Sequence, residues 1–341
     1  MDNARVAMAP TYSLVVPIFN EEAVIPLLLR RLDALLEALD GPGEVIVVDD
    51  GSSDTSAIVI EAKARVDDRY RLIKLSRNFG HQAAITSGLD HARGQAVVVM
   101  DADLQDPPEV VLAMIAKWKE GYDVVSAKRT ERRGESRFKR TTAHLFYRLM
   151  GRLGEVSTTQ NVGDFRLVDR RALDWFLAMP ERDRFVRGMF TWIGFRQGTV
   201  TFDRPPRAAG ESKYSLRKMV GLAMNGVISF SDAPLRLALW AGAAVSALAF
   251  VYGLSVIVRS AMGDPSLERG WSSTIVVIAA IGGANMLMTG VIGLYVGRIY
   301  AEAKGRPLYV VERAVGFDEG APQRGSAKPT IPRAYDRSAR R

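Results

Sequence analysis

Two kinds of apolar pattern alternate over roughly residues 12–200 of this chain. Short β-branched runs at Ser13–Pro17, Glu44–Asp49, Arg71–Leu75, Ala96–Met100 and Asp123–Ala127 predict strands that are apolar on both faces. Between them, Glu21–Leu39, Thr55–Val66, His81–Ala92 and Pro108–Lys119 carry apolar residues at helical spacing. Such alternation predicts right-handed crossovers and a doubly wound, mostly parallel α/β sheet. Asn20 ahead of Glu21 and Glu22, and Asp54 after Gly51, Ser52 and Ser53, mark two helix starts.

The pattern changes near the C-terminus. Leu237–Val258 is uncharged and bracketed by Arg236 and Arg259; Trp271–Gly297 is also uncharged and is followed by Arg298. Each run is long enough to cross a hydrocarbon core, which takes about 20 residues; the alternative is a pair of buried core helices. Trp240, Tyr252, Trp271 and Tyr295 lie towards the run ends, as interface aromatics do. Gly282, Gly283 and Asn285 suit close helix–helix packing. The link 260–270 is too short for a domain, so the runs predict a hairpin with both flanks on one side. Arg217, Lys218, Arg236, Arg298, Lys304 and Arg306 crowd those flanks. The positive-inside rule then places the large N-terminal domain and both termini in the cytoplasm, at the inner membrane. Met1–Pro10 lacks the apolar core of a secretory signal.

With 341 residues the chain can form one large domain and an appendage. It has no cysteine, which removes disulfides, thiolate metal sites and cysteine nucleophiles and fits a reducing compartment. A net charge of +8 and a pI near 9.7 suit an anionic partner: phosphate, lipid headgroup or nucleic acid. Phe138–Leu153 and Leu216–Phe230 mix apolar and basic residues at helical spacing. They fit interfacial helices in the headgroup plane, or ordinary amphipathic packing on the domain. The Pro-, Gly-, Ser- and Arg-rich end from about residue 316 reads as disordered. The expected divisions are a tip at 1–11, an α/β domain at 12–215, an interfacial helix at 216–234, a transmembrane hairpin at 235–299 and a tail at 300–341.

The chemistry gathers where strands end, because ligands of parallel sheets bind beyond the carboxyl ends of the strands. The run Ala96–Met100 stops at Asp101-Ala-Asp103. Residues two apart at a strand end point the same way, so both carboxylates can address one hard cation, Mg²⁺ or Mn²⁺, against a diphosphate. Alone, such a pair reads equally well as a solvated turn. Asp49 and Asp50 end the second strand, and Asp50 can accept a hydrogen bond from a base N–H or a ribose hydroxyl. Arg77, ahead of Gly80 and a helix N-terminus, is placed to pair with a phosphate. His81 reads as structural at least as readily as functional.

These junctions, starting with Val16-Pro-Ile-Phe-Asn-Glu-Glu22, resemble the nucleotide-sugar site of glycosyltransferase family 2, whose fold is of the GT-A type. Asp101-Ala-Asp-Leu-Gln-Asp-Pro-Pro-Glu109, Asn161-Val-Gly-Asp-Phe-Arg-Leu167 and Gly210-Glu-Ser-Lys-Tyr-Ser-Leu-Arg-Lys218 are similar to its polyprenyl-phosphate branch. That branch includes dolichyl-phosphate mannose synthases and bacterial glucosyltransferases with a two-helix membrane hairpin. The likeness spans about residues 12–312. It implies that Pro17, Glu21 and Asp50 hold the nucleoside, and that Arg77 lies near the diphosphate. It implies a metal on Asp101, Asp103 and Gln105, an acidic Asp164 beside the sugar, and Arg166 in support. Arg129, Arg137, Arg140 and Lys213 fall where the family keeps bases for the lipid phosphate and the donor; a cationic face toward headgroups explains some of them as well. Processive relatives carry Gln-x-x-Arg-Trp near the acceptor. This chain has Glu181-Arg-Asp-Arg-Phe-Val-Arg-Gly188 there, which favours a single transfer.

The expected reaction is inverting, metal-dependent transfer of one hexose from a nucleotide sugar, UDP-glucose as the best match, to undecaprenyl or a related polyprenyl phosphate. Asp164 either orients sugar hydroxyls or acts on the acceptor oxygen. The expected partners are donor, lipid acceptor and membrane lipids, not nucleic acid, and a homotetramer is compatible with the resemblance. The rival readings are another lipid or protein acceptor on the same fold, and a catalytically inactive membrane scaffold. A dinucleotide-binding oxidoreductase is disfavoured, since no Gly-x-Gly-x-x-Gly follows the first strand.

Overall fold

The apolar runs form the centre of an eight-stranded sheet in the computed structural model, which describes residues 10–130, 162–182, 184–203, 233–262 and 271–317. β1 (Tyr12–Ile18), β2 (Gly43–Asp49), β3 (Tyr70–Leu75) and β4 (Ala96–Val99) pair in parallel in the order β4-β1-β2-β3. β1 and β4 are buried along their whole length, as β-branched residues on two covered faces require. α1 (Ile25–Ala38), α2 (Ser56–Val66), α3 (His81–His91) and α4 (Val110–Lys119) make the crossovers.

Alternation along β1 separates the two faces. Leu14 and Val16 enter the main core with Leu28 and Leu32 of α1, Ile60 of α2 and Met114 and Trp118 of α4. Val15 faces α3, where Gly88 lies so close that an added Cβ would approach Val15 Cγ1 to 2.2 Å. Helices therefore cover both faces, the doubly wound arrangement that strand–helix alternation predicts.

Two edges depart from pure parallel pairing. β5 (Val124–Arg129) and β6 (Val162–Asp169) form an antiparallel pair, and β6 inserts antiparallel beside β4. α5 (Arg170–Ala178), α6 (Val186–Trp192) and β7 (Gln197–Phe202) follow, β7 pairing in parallel with β5. The remaining helices among the described residues are α7 (Ala233–Ala261) and α8 (Trp271–Ala303), and β8 (Val311–Val315) then pairs antiparallel with β3 at the opposite edge. The strand order is β7-β5-β6-β4-β1-β2-β3-β8.

Some details correct the sequence reading. α1 starts at Ile25 rather than Glu21, because Asn20 takes a left-handed φ of 55° and turns the chain there. The side chain of Asn20 does not cap α1; it accepts from Ser53 N–H across the neighbouring loop at 2.8 Å. β8 lies in the tail 300–341, for which no element was expected, and Gly316 and Phe317, at the start of the end read as disordered from about 316, contact Arg71 and His91 of the sheet domain. The basic stretch from 131, the two expected interfacial helices, and the end from 318 lie outside the described residues.

The described residues fall into two compact units, the sheet with its helices and residues 306–317, and α7 with α8. Both α7 and α8 are long and apolar enough to cross a membrane. Their apolar stretches, Ala238–Ser255 and Ala280–Ala303, are not buried inside the protein, which is unlike a core helix. Leu239, Trp240, Phe250, Met286 and Ile299 are exposed. Among the described residues an added Cβ at Gly282 or Gly283 meets nothing within 4 Å, whereas at Gly242 it would stand 2.9 Å from Met288 Sδ.

Candidate active site

The carboxyl ends of β1 and β2 carry loops bound to each other through side chains. Ser52 Oγ accepts from Asn20 N–H at 2.9 Å, Ser56 Oγ from Glu21 N–H at 3.0 Å, and Asp54 Oδ2 from Glu22 N–H at 3.2 Å. Glu22 returns the contact by accepting from the Thr55 hydroxyl at 2.9 Å. Pro17 is buried in β1 opposite Val48, and Glu21 is half-buried in the first loop.

Asp50 governs the third loop. Its two carboxylate oxygens accept from Phe79 N–H at 2.7 Å and Gly80 N–H at 3.0 Å. Burial raises its pKa despite both bonds. Gly51, at φ 73°, lets the backbone of Arg77 pass close by; an added Cβ would meet the Arg77 carbonyl carbon at 2.5 Å. Arg77 itself is exposed, with its guanidinium 4.0 Å over the Phe79 ring.

The antiparallel insertion of β6 brings the acidic residues together. Val99 of β4 stands opposite Arg166 of β6. Continued outward by two residues, that register sets Asp101 opposite Asp164. His81 Nε2, at the first turn of α3, lies 3.5 Å from Asp101 Oδ1 and 3.5 Å from Asp164 Oδ2. Burial opposes protonation of His81, but the carboxylates of Asp164 and Asp101 outweigh it and raise the pKa.

Asp164 is buried and held by a fork. Arg187 Nε and Nη2 donate to its two oxygens at 2.8 and 2.9 Å. Burial works against its charge, yet His81, Arg187 and Arg166 hold its pKa far below the carboxylate range. Gln82 ties this pair to α6: its Oε1 accepts from Val186 N–H at 3.0 Å, and its Nε2 reaches Asp164 Oδ2 at 3.5 Å. Arg166 is fully buried, donates to Gly163 O at 2.9 Å and lies 5.4 Å from the Phe190 ring. Burial pushes its pKa down to about 10, against the pull of Asp164.

Asp103 Oδ1 accepts from Gln105 N–H at 3.1 Å, a tight turn that includes Leu104 at φ 56°. Asp106 is buried behind it, 4.0 Å from Arg129 at the end of β5. Burial and then Asp101 push Asp106 up to about 7, with Arg129 working the other way. Burial also raises Asp101, and with Asp164 and Asp103 nearby the pull of His81 does not reverse it.

A divalent cation fits this end of the sheet. Among the described residues no group donates a hydrogen bond to buried Asp101 Oδ1, and the donors on offer are hard carboxylate oxygens. Among the described residues no three His, Asp or Glu side chains form a ready cage. The donor set therefore suits Mg²⁺-type binding by one or two carboxylates, completed by substrate phosphates and water.

The structure thus gathers Asp101, Asp103, Gln105, Asp164, Arg166 and Arg129 around the ends of β4, β5 and β6. Pro17, Glu21, Asp50 and Arg77 lie along the ends and loops of β1 to β3. Arg137, Arg140 and Lys213 lie outside the described residues. Sequence reasoning passed over Arg187, Gln82 and Asp106. Arg187 is within the stretch compared with the processive motif, yet no local pattern ties it to Asp164, 23 residues away.

The sequence model for glycosyl transferase family 2 matches residues 13–176. An uncharacterized glycosyltransferase of Bacillus subtilis, YkcC, is 47% identical over 90% of this chain and 95% of its own length. The chain belongs to glycosyl transferase family 2. This glycosyltransferase is also 40% identical to the bactoprenol glucosyl transferase of Shigella phage SfII, over 89% of this chain and 97% of that protein. Among solved structures, mannosyl-3-phosphoglycerate synthase from Rubrobacter xylanophilus is similar with TM-score 0.47 and 19% identity, over 64% of this chain and 72% of that one.

Proposed function

We propose that this glycosyltransferase moves a single hexose from a nucleotide diphosphate sugar, UDP-glucose as the leading donor, to a polyprenyl phosphate at the cytoplasmic face of the membrane. The observation that carries the reading is the acidic cluster Asp101, Asp103 and Asp164 at one sheet end, beside loops with a fixed backbone. The near full-length similarity to a bactoprenol glucosyl transferase supports the acceptor. The uncovered apolar helices α7 and α8 support a membrane anchor.

In the proposed step a phosphate oxygen of the acceptor forms a bond to the anomeric carbon. The bond from that carbon to the diphosphate oxygen breaks, and its electron pair leaves with the nucleoside diphosphate. Attack from the opposite face inverts the centre. The acceptor is already an anion, so no proton has to be removed from it. Asp101, Asp103 and Gln105 would hold Mg²⁺ or Mn²⁺, which when bound supplies positive charge against the leaving diphosphate.

The protein's own groups divide the remaining work. Arg77, on a loop whose amides are tied to Asp50, adds positive charge on the donor side. Asp164 has both oxygens engaged by Arg187 and little affinity for a proton. That makes it an orienting group for sugar hydroxyls rather than a general base. His81 bridges Asp164 and Asp101, and so links the sugar side to the metal side.

The test is to supply labelled nucleotide sugars to the purified protein with undecaprenyl phosphate and extract the products. A labelled lipid phosphate sugar of inverted anomeric configuration is expected. Label in protein or diacylglycerol instead would replace the acceptor, and label in neither would remove the proposal.

A further inference from the structure

The last described part of the chain folds onto the elements that carry the Arg77 loop. β3 enters residues 76–80 and α3 leaves them, and residues 309–317 hold both. Pairing between β3 and β8 runs one residue past β3, where Ser76 N–H donates to the Val310 carbonyl at 2.9 Å. The register shifts between Lys74 and Leu75, a bulge at the point where the strand gives way to the loop.

Tyr309 makes the second attachment. It is buried, and its hydroxyl donates to Asp90 Oδ2 at 2.6 Å in the last turn of α3. Burial, and then the Asp90 carboxylate, hold that phenol protonated far above the ordinary tyrosine range. The first turn of the same helix carries His81 and Gln82.

A third attachment closes the segment. The Gly316 carbonyl accepts from Arg71 Nε at 3.0 Å, and Arg71 is ion-paired with buried Glu44. Gly316 has φ 83°, and a Cβ there would approach Tyr70 O to 2.7 Å, so glycine alone makes this turn without strain. Phe317 then stands edge-on to His91, 5.6 Å between ring centres.

On its other side β3 already pairs with β2 from Tyr70 to Lys74, so its place in the sheet does not depend on β8, which alone pairs with Leu75 at its end. What β8 and Tyr309 add is a fixed separation between the end of β3 and the body of α3, across which the loop is strung. Asp50 holds the loop from the β2 side, and Val310 holds it from the β8 side. The geometry points to Tyr309 and β8 as positioning elements for the donor diphosphate, acting through residues 76–80. This rests on the proposed reading of the Arg77 loop as part of the donor site. Tyr309 touches no reacting group, so its contribution is to donor affinity and not to the chemical step.

The full-length protein in detergent allows the test, with Tyr309→Ala, Tyr309→Phe and wild type compared in two measurements. Steady-state transfer is followed against nucleotide sugar at saturating polyprenyl phosphate, and amide exchange is followed through residues 76–80. Tyr309→Ala is expected to raise the donor KM about tenfold while kcat and the lipid KM stay within about twofold. Exchange at Phe79 and Gly80 should quicken while β1 and β4 remain protected. Tyr309→Phe keeps the buried ring and should fall between the two. A folded Tyr309→Ala protein with wild-type donor KM and wild-type exchange would overturn the inference. So would a joint change in kcat, both KM values and β1 exchange, since that marks a merely structural residue. If the wild type turned over no nucleotide sugar, the proposed function would fail. The exchange comparison would still decide whether Tyr309 holds the loop.

Discussion

The loops after β1, β2 and β3 and those around β4 and β6 share one end of the sheet, but they use polar side chains in opposite ways. In the first group Asn20, Ser52, Asp54, Ser56 and Asp50 bind backbone amides of neighbouring loops. In the second group Asp101, Asp103, Asp106 and Asp164 face one another, with His81, Arg129 and Arg187 between them. One half presents loops held to one another largely by their own hydrogen bonds. The other brings carboxylates and cations together, an arrangement suited to groups that change charge. Under the proposed function, the β1–β3 side would serve the nucleoside end of the donor, and the β4–β6 side would serve the metal and the sugar.

The largest test of that division is Asp103→Ala. Transfer should fall by about 10³-fold or more, about 4 kcal/mol of transition-state stabilisation, as measured by product formation at saturating substrates. The melting temperature should hold, because Asp103 is only partly buried. Full turnover in Mg²⁺ or Mn²⁺ would remove Asp103 from the metal site.

Next in size is Arg187→Ala, which leaves buried Asp164 without its fork. A drop in kcat of roughly 100-fold is expected. Urea unfolding should show a loss of about 2 kcal/mol, less than for a fully buried pair because Arg187 is half-exposed. Arg187→Lys restores charge but not two parallel bonds, and should recover stability more than rate. Equal recovery of both would make the fork dispensable.

Asp50→Asn sharpens the other side. Its amide can accept from one of the two loop N–H groups but not both, so the donor KM should rise about tenfold with kcat little changed. A fall in kcat without a change in donor KM would blur the division. The smallest effect belongs to Arg31→Ala, which breaks a pair with exposed Glu109, the N-cap of α4 at the far end of the loop after β4. Thermal unfolding should move by no more than about 0.5 kcal/mol, and transfer should not move at all.

How much of this was legible in the sequence follows from what is local. Period and β-branching revealed β1 to β5 and the helices between them, because each element buries its own pattern. Asp101 and Asp103 could be placed at a strand end for the same reason. β6 was not visible as an element, and its antiparallel insertion beside β4 is a long-range choice that no local period records. That choice makes Asp164 and Asp101 neighbours, so resemblance to a family, and not spacing, had to nominate Asp164. Arg187 and Tyr309 escaped likewise, since their partners lie 23 and 219 residues away. The capping role given to Asn20 failed for a related reason: its side chain found a donor in a loop 33 residues on. Composition also does not say which face of a helix meets its neighbour: among the described residues the close approach between the two apolar helices is at Gly242.

The central claim is that the acidic sheet end drives sugar transfer to a lipid phosphate. It is tested most directly by nucleoside diphosphate release from UDP-glucose, with and without undecaprenyl phosphate, in wild type and Asp103→Ala. Release that requires the lipid in wild type and vanishes in Asp103→Ala is the predicted result. Release at the same rate without lipid, or undiminished in Asp103→Ala, would contradict the account.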